Sequence, residues 1–334
     1  MSYPFYTTEA KQPPSQPVGL PKSRLKMQTT PEGYIADEGL AGAVNVALLL
    51  GQPLLVTGEP GTGKTQLAYS LAWQLGLGKP LKFETKSTSS ARDLFYMYDA
   101  IGHFRTAQIE KKAVNAATFI KPNALGEAII HTNAPEKIQD LKIAELLPYL
   151  DLPYAEPHRS VVLIDEIDKA PRDFPNDILN EVEHHYFRIP EFSNVKIEAN
   201  EDLQPILVLT SNAEKYLPDA FLRRCIYYNI PFPERARLEK IVIKRLTGFA
   251  QSEAFLGNAL DFFLQLRDSD LHKPPATAEL LNWLSILRSE KFKGIENPLA
   301  QHSPDLSESL SVLVKNKDDQ ERAGKVLGDW LGKE

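Results

Sequence analysis

Gly58-Glu59-Pro60-Gly61-Thr62-Gly63-Lys64-Thr65 decides the fold of this chain. The apolar run Leu54-Leu55-Val56-Thr57 feeds into it, and the helix-forming stretch from Gln66 to Leu75 follows it. Gly58, Gly61 and Gly63 allow a tight backbone bend whose N–H groups turn toward phosphate oxygens. The helix that starts at the loop adds the positive end of its dipole. In this arrangement Lys64 can reach the β- and γ-phosphates, and the Thr65 hydroxyl can ligate Mg²⁺. The segment from Glu59 to Gln66 is therefore the expected cradle for a nucleotide. A glycine-rich turn without a ligand would look similar in isolation, but here strand, loop and helix signals agree.

About a hundred residues on, Val161-Val162-Leu163-Ile164 reads as a central parallel strand covered on both faces. It ends in Asp165-Glu166, followed by Ile167-Asp168-Lys169. Acidic residues at the carboxyl end of such a strand lie where nucleotide-binding sheets form their sites. Asp165 is expected to hold Mg²⁺ through water, and Glu166 to orient or deprotonate the attacking water. A solvated turn after a buried strand is the bland reading; the phosphate loop upstream weighs against it. Magnesium-dependent hydrolysis of a nucleoside triphosphate is the chemistry these two stretches imply.

The chain has 334 residues, room for one large or two modest domains. Its hydrophobic content of 43% is enough for a sizeable core. Lys and Arg number 38 against 44 Asp and Glu, so the net charge of -6 gives no footprint for general nucleic-acid binding. The single cysteine, Cys225, cannot form an internal disulfide and reads as a small buried apolar residue. His184 and His185 are adjacent and would face apart on a helix, which argues against a metal pair. Neither a signal peptide nor a membrane-length apolar stretch is evident, and a cytoplasmic protein is expected.

Residues 1–30 carry Pro4, Pro13, Pro14, Pro17 and Pro21 and read as a flexible or partner-bound arm. A helix is expected after Asp37, a second strand over Leu81–Glu84, and a capped helix start within 87–94. The long stretch to about residue 157 suggests an insertion, with β-like pieces near Ala117–Lys121 and a helix over Leu125–His131. Beyond the acidic strand, the pattern predicts a helix over Phe174–Glu183 and a hairpin near 186–199. Strands follow at Ile206–Thr210 and Ile226–Ile230. After Pro231-Phe232-Pro233 only helical periodicity remains. The expected organisation is an arm (1–30), an α/β core (31–232) and a small helical lid domain (233–334).

The phosphate loop, the acidic strand end, Asn212 after the next strand, and Arg223-Arg224 before the last one stand in the order of a AAA+ ATPase. The chain resembles that superfamily from about residue 33 to 290, and within it the MoxR-like, helix-2-insert branch. Leu54–Thr65, Asp165-Glu166-Ile167-Asp168-Lys169-Ala170-Pro171 and Asp219–Cys225 carry the likeness. It implies a P-loop fold with a parallel five-stranded sheet, and ATP with Mg²⁺ as cofactors. It casts Asn212 as the residue that positions the attacking water. Arg224, or Arg223 beside it, becomes the arginine finger reaching a neighbouring subunit's nucleotide. By the same likeness Ile35 and Ala36 pack the adenine base. The segment 96–125 resembles the helix-2 insert of that branch, and the hairpin near 186–199 resembles its pre-sensor-1 hairpin. One departure stands out: where relatives often carry a lid arginine, Lys273 to Leu281 holds none, and Lys273 is the nearest cation.

The resemblance further implies a homo-oligomeric ring, a hexamer, that remodels or matures a partner protein carrying a von Willebrand factor A domain. Two other readings compete with it. One is a nucleotide-gated signalling or scaffold ATPase with slow turnover. The other is a DNA-associated motor, which the acidic balance disfavours.

Overall fold

The computed structural model describes residues 30–110, 115–212, 217–246, 248–250, 252–288, 296–300 and 306–332. The expected proline-rich arm lies outside them, apart from Thr30. Two compact units emerge: one from Ala36–Gly58 with Gly63–Ile230, the other from residues up to Ile35, Glu59–Thr62 and Pro231 onward.

In the first unit, helix α1 (Glu38–Leu50) starts where the Asp37 carboxylate accepts the N–H of Leu40 at 2.7 Å, and it stops at Gly51 in left-handed conformation. Strand β1 (Leu54–Gly58) runs through the phosphate loop into α2 (Lys64–Gln74), and β2 (Leu81–Glu84) follows. The insertion comprises β3 (Tyr96–Tyr98), α3 (Ala100–Glu110) and β4 (Ile120–Pro122), with residues 111–114 outside the described set. Strands β3 and β4 pair antiparallel. Next come α4 (Ala124–His131), α5 (Pro135–Asp140), β5 (Val161–Asp165), α6 (Phe174–Asp177) and α7 (Leu179–His184). The hairpin β6 (Tyr186–Ile189) and β7 (Val195–Glu198), then β8 (Ile206–Thr210), α8 (Asp219–Leu222) and β9 (Ile226–Ile230) complete the unit.

Its main sheet has five strands in the order β2-β5-β8-β1-β9, all parallel. Every residue of β5 is buried, as an aliphatic run needs when both faces of a parallel strand are covered. Register matters more than length here. Glu84 lies beside Asp165, Ile164 beside Leu209, and Val56 beside Thr210. The carboxyl ends of β2, β5, β8 and β1 thus finish at one rim, where α/β sheets place their sites.

Three local expectations are corrected. The helix predicted over Phe174–Glu183 is broken at Ile178, whose ψ of -1° ends α6 and opens α7. Phe174, Ile178 and Val182 all remain buried, so the apolar spacing that suggested one helix is kept across the break. The capped start near residue 90 yields only a 3₁₀ turn, Ala91–Leu94, with Ser90 and Asp93 forming a capping box. The β-like piece at Ala117–Lys121 divides into a 3₁₀ turn (Ala116–Phe119) and the short strand β4. Asn115 caps that turn by accepting the N–H of Ala117.

The second unit is helical: α9 (Arg235–Arg245), α10 (Glu253–Asp268), α11 (Thr277–Leu287), α12 (Leu306–Ser309) and α13 (Lys317–Leu331). It has its own apolar core, centred on Phe262, Phe263 and Trp283, all fully buried. The indole N–H of Trp283 donates to the Ser309 hydroxyl at 2.9 Å, which satisfies its one polar atom. Among the described residues no helix is long and apolar enough to cross a membrane.

Candidate nucleotide-hydrolysing site

The loop after β1 turns on residues only glycine tolerates well. Gly61 has φ of 79° and Gly63 φ of 90°, and Gly63 is the N-cap of α2. That helix begins at Lys64, which is almost fully buried, and its ammonium donates to the Gly58 carbonyl at 2.8 Å across the loop. The Thr62 hydroxyl donates to the Glu59 carbonyl at 2.8 Å.

Asp165 is the hub of the opposite side. One carboxylate oxygen, Oδ1, accepts the Thr65 hydroxyl at 2.9 Å and the Thr210 hydroxyl at 2.7 Å. Thr210 also accepts the N–H of Glu166 at 2.8 Å, so the end of β8 fixes both acidic residues. The other oxygen, Oδ2, lies 3.0 Å from the ammonium of Lys82, which also bonds Glu84 at 2.7 Å. Burial works against the Lys82 charge, but its bonds to Glu84 and Asp165 prevail and raise its pKa above the ordinary lysine value.

Glu166 sits in left-handed conformation with φ of 56°, uncommon for a residue with a side chain and typical of positions held by their surroundings. Its carboxylate pairs with Lys169 and faces the Asn212 amide nitrogen at 3.4 Å. The backbone N–H of Asn212 donates to Asp168 at 3.1 Å. A cleft of about 580 Å³ opens beyond this turn, lined in part by Asp168, Pro171, Arg172, Pro175 and Pro218.

Sequence reasoning pointed to Lys64, Thr65, Asp165, Glu166 and Asn212, and the fold brings Thr65 to Asp165 and Asn212 to Glu166. It missed Lys82 and Thr210. Their signals were present, a lysine alternating with Glu84 on a strand and a polar residue closing an aliphatic one, but both are common features of strands. Arg223 and Arg224 are exposed after α8. Arg224 donates to Glu183 at 2.8 Å and to the Ala220 carbonyl at 3.0 Å, and this holds the Glu183 carboxyl below its usual range. Cys225 is half-buried, not fully buried as expected, and burial pushes its thiol up to about 12.

Within the helical unit, the Ile35 carbonyl accepts from Arg237 at 3.0 Å, while Ala36, in the sheet unit, is exposed. Lys273 spends its backbone N–H on Asp319. A different cation, Arg267 near the end of α10, lies 3.4 Å over the Phe232 ring and bonds Glu59 at 2.9 Å. No local pattern singles out Arg267, because only the helical fold brings it to a loop 208 positions away.

The donor set suits magnesium. A threonine hydroxyl and a carboxylate already 2.9 Å apart are hard oxygen ligands for an ion that keeps several waters and draws others from phosphates. Among the described residues no group of three or more His, Cys, Asp or Glu could hold a metal alone.

No curated protein matches the sequence. Among solved structures, the chain is similar to one titled as a mutant of Thermotoga maritima RuvB. Identity is 16% over 91% of this chain and 75% of that one, with a TM-score of 0.45, too distant a likeness to argue from. The family described as AAA domain (dynein-related subfamily) matches residues 53–225, more than half of the chain and the stretch that holds the phosphate loop, Asp165, Glu166 and Asn212. The chain belongs to this family of AAA+ ATPases: it is a P-loop enzyme that binds and hydrolyses nucleotide.

Proposed function

We propose that ATP hydrolysis at this site drives remodelling or maturation of a partner protein, with several copies of the chain arranged in a ring. The observation that carries the reading is the bond between Thr65 and Asp165, which joins the phosphate loop to the acidic strand end across a hundred residues. Thr65 and Asp165 would hold Mg²⁺, which supplies charge neutralisation for the β- and γ-phosphates. Lys64 turns from the Gly58 carbonyl to the phosphates. Glu166 takes the proton of the attacking water, and Asn212 holds that water against it.

The arginine pair completes the site of a neighbour. Arg224 is tied to Glu183 and Ala220, whereas the exposed Arg223 makes no side-chain hydrogen bond or ion pair among the described residues. Arg223 is therefore the residue we place in the neighbour's site. Ile101, Phe104 and Ile109 on α3 are large exposed apolar side chains, which supports a contact role for the insertion. The likeness to MoxR-type proteins makes a hexamer and a client with a von Willebrand factor A domain the specific form of this proposal.

One observation favours a slower, nucleotide-gated scaffold: the Glu166 carboxylate is already engaged by Lys169, a contact that an attacking water must displace. Turnover per subunit against protein concentration separates the two readings. A rate that climbs and saturates supports catalysis across an interface. A rate near zero throughout, with ATP-dependent assembly, supports the scaffold. Arg223→Ala should cut the saturated rate about 10³-fold with nucleotide affinity nearly unchanged, and Arg224→Ala much less. The reverse order would exchange their roles.

A further inference from the structure

Lys82 is a cation beside the acidic strand end that neither the phosphate loop nor the arginine pair accounts for. It lies on β2, an edge strand of the sheet, where a lysine ordinarily points to solvent and blocks pairing with other chains. Here the side chain is only 28% exposed and its ammonium is 3.0 Å from the Oδ2 of Asp165. Lys82 and Glu84 project to the same face because strand side chains alternate. Parallel pairing sets Lys82 beside Leu163 and Glu84 beside Asp165. The ammonium thus bridges an exposed carboxylate and a buried one.

We infer that Lys82 is a positioning residue that sets the metal affinity of Asp165. It takes Oδ2, and so leaves Oδ1 turned to the hydroxyls of Thr65 and Thr210. It also places a fixed positive charge on the carboxylate a divalent cation must use. A cation approaching the nucleotide-free protein shares Asp165 with the ammonium and binds weakly; one arriving with nucleotide brings the phosphate charge that offsets the repulsion. The site is thereby kept for the metal–nucleotide complex. This rests on the reading of Asp165 as a metal ligand.

Binding of Mn²⁺ to the nucleotide-free protein, followed by the electron paramagnetic resonance of the free ion, tests the inference. Lys82→Met should bind Mn²⁺ roughly 10-fold more tightly than the parent, the size of one removed cation in partly hydrated surroundings, and Lys82→Arg should bind as the parent does. A lysine that merely braced the strand would give the opposite sign, because its loss would loosen Asp165 and weaken binding. Unchanged or weaker Mn²⁺ binding in Lys82→Met therefore overturns the inference. Lys82→Gln serves as a second uncharged replacement if the methionine variant does not fold. Asp165→Asn in the Lys82→Met background separates the two failures. If it leaves Mn²⁺ binding untouched, Asp165 is not the ligand and the underlying reading falls. If it abolishes binding while Lys82→Met matches the parent, only the role of Lys82 falls.

Discussion

The phosphate loop and the acidic strand end face the same chemistry but are built in different ways. The loop is made by neighbours in sequence: Gly61 and Gly63 in left-handed conformation, and Lys64 folded back six residues onto Gly58. The strand end is made by strangers: Asp165 is held by Thr65, Thr210 and Lys82, which come from α2, β8 and β2. A local device survives wherever its strand and helix form. A device assembled across a sheet depends on register, and a slip of one residue would turn Asp165 to the other face.

Four substitutions would break or sharpen that contrast. Glu166→Gln should lower turnover about 10³-fold while leaving nucleotide affinity within a factor of about three, as expected for loss of a general base. Single-turnover kinetics beside equilibrium binding would check this, and normal hydrolysis would remove Glu166 from its role. If the Lys64 ammonium, which bonds the Gly58 carbonyl here, is the proposed phosphate ligand, Lys64→Ala should cost about 10²-fold or more in nucleotide affinity while the melting temperature changes little. A large drop in stability would mean that the loop depends on its lysine for folding as well.

His185 serves as a control distant in chemistry from both regions. It is buried, and burial first, with His184 second, holds its pKa down to about 4. The unfolded chain takes up this proton near pH 6.5 and the folded one near 4. The contribution of the neutral ring is therefore complete above pH 6.5 and is lost as pH falls toward 4, on the order of 3 kcal/mol in all. Chemical denaturation from about pH 7 to about 4.5 should show this slope flattened in His185→Asn, with nucleotide affinity at neutral pH unchanged. Asparagine suits the left-handed backbone there.

The smallest expected effect is the most informative about the strand end. Thr210→Val keeps the shape of β8 but leaves the Glu166 N–H and one Asp165 bond without their partner, a cost of about 1–3 kcal/mol. Because the lost contacts orient both acids, turnover should fall more than about tenfold while the affinity for ADP without metal stays constant. Equal losses in both would make Thr210 a structural residue only.

Much of this was legible in the order of residues. Leu54–Thr65 announces a strand, a turn and a helix start through residues adjacent in the chain, and the aliphatic run ending in Asp165 announces a buried strand. The failures share a cause. The break at Ile178 leaves the apolar spacing of Phe174, Ile178 and Val182 intact, so periodicity could not reveal it. Lys82 and Thr210 look like ordinary strand residues until the sheet is assembled, and Arg267 looks like an ordinary helix terminus.

The sequence by itself determined which backbone conformations and chemical groups are present: glycines that can turn, a lysine and a threonine at fixed distance from them, and an acidic pair after a run that must be buried. Only the tertiary structure decided which groups meet. The order β2-β5-β8-β1-β9 brings Thr65, Lys82 and Thr210 onto the two oxygens of Asp165. The physical reason is range. Backbone preference acts over a few residues, whereas the contacts that orient a carboxylate are chosen by strand order and register, which no local pattern encodes.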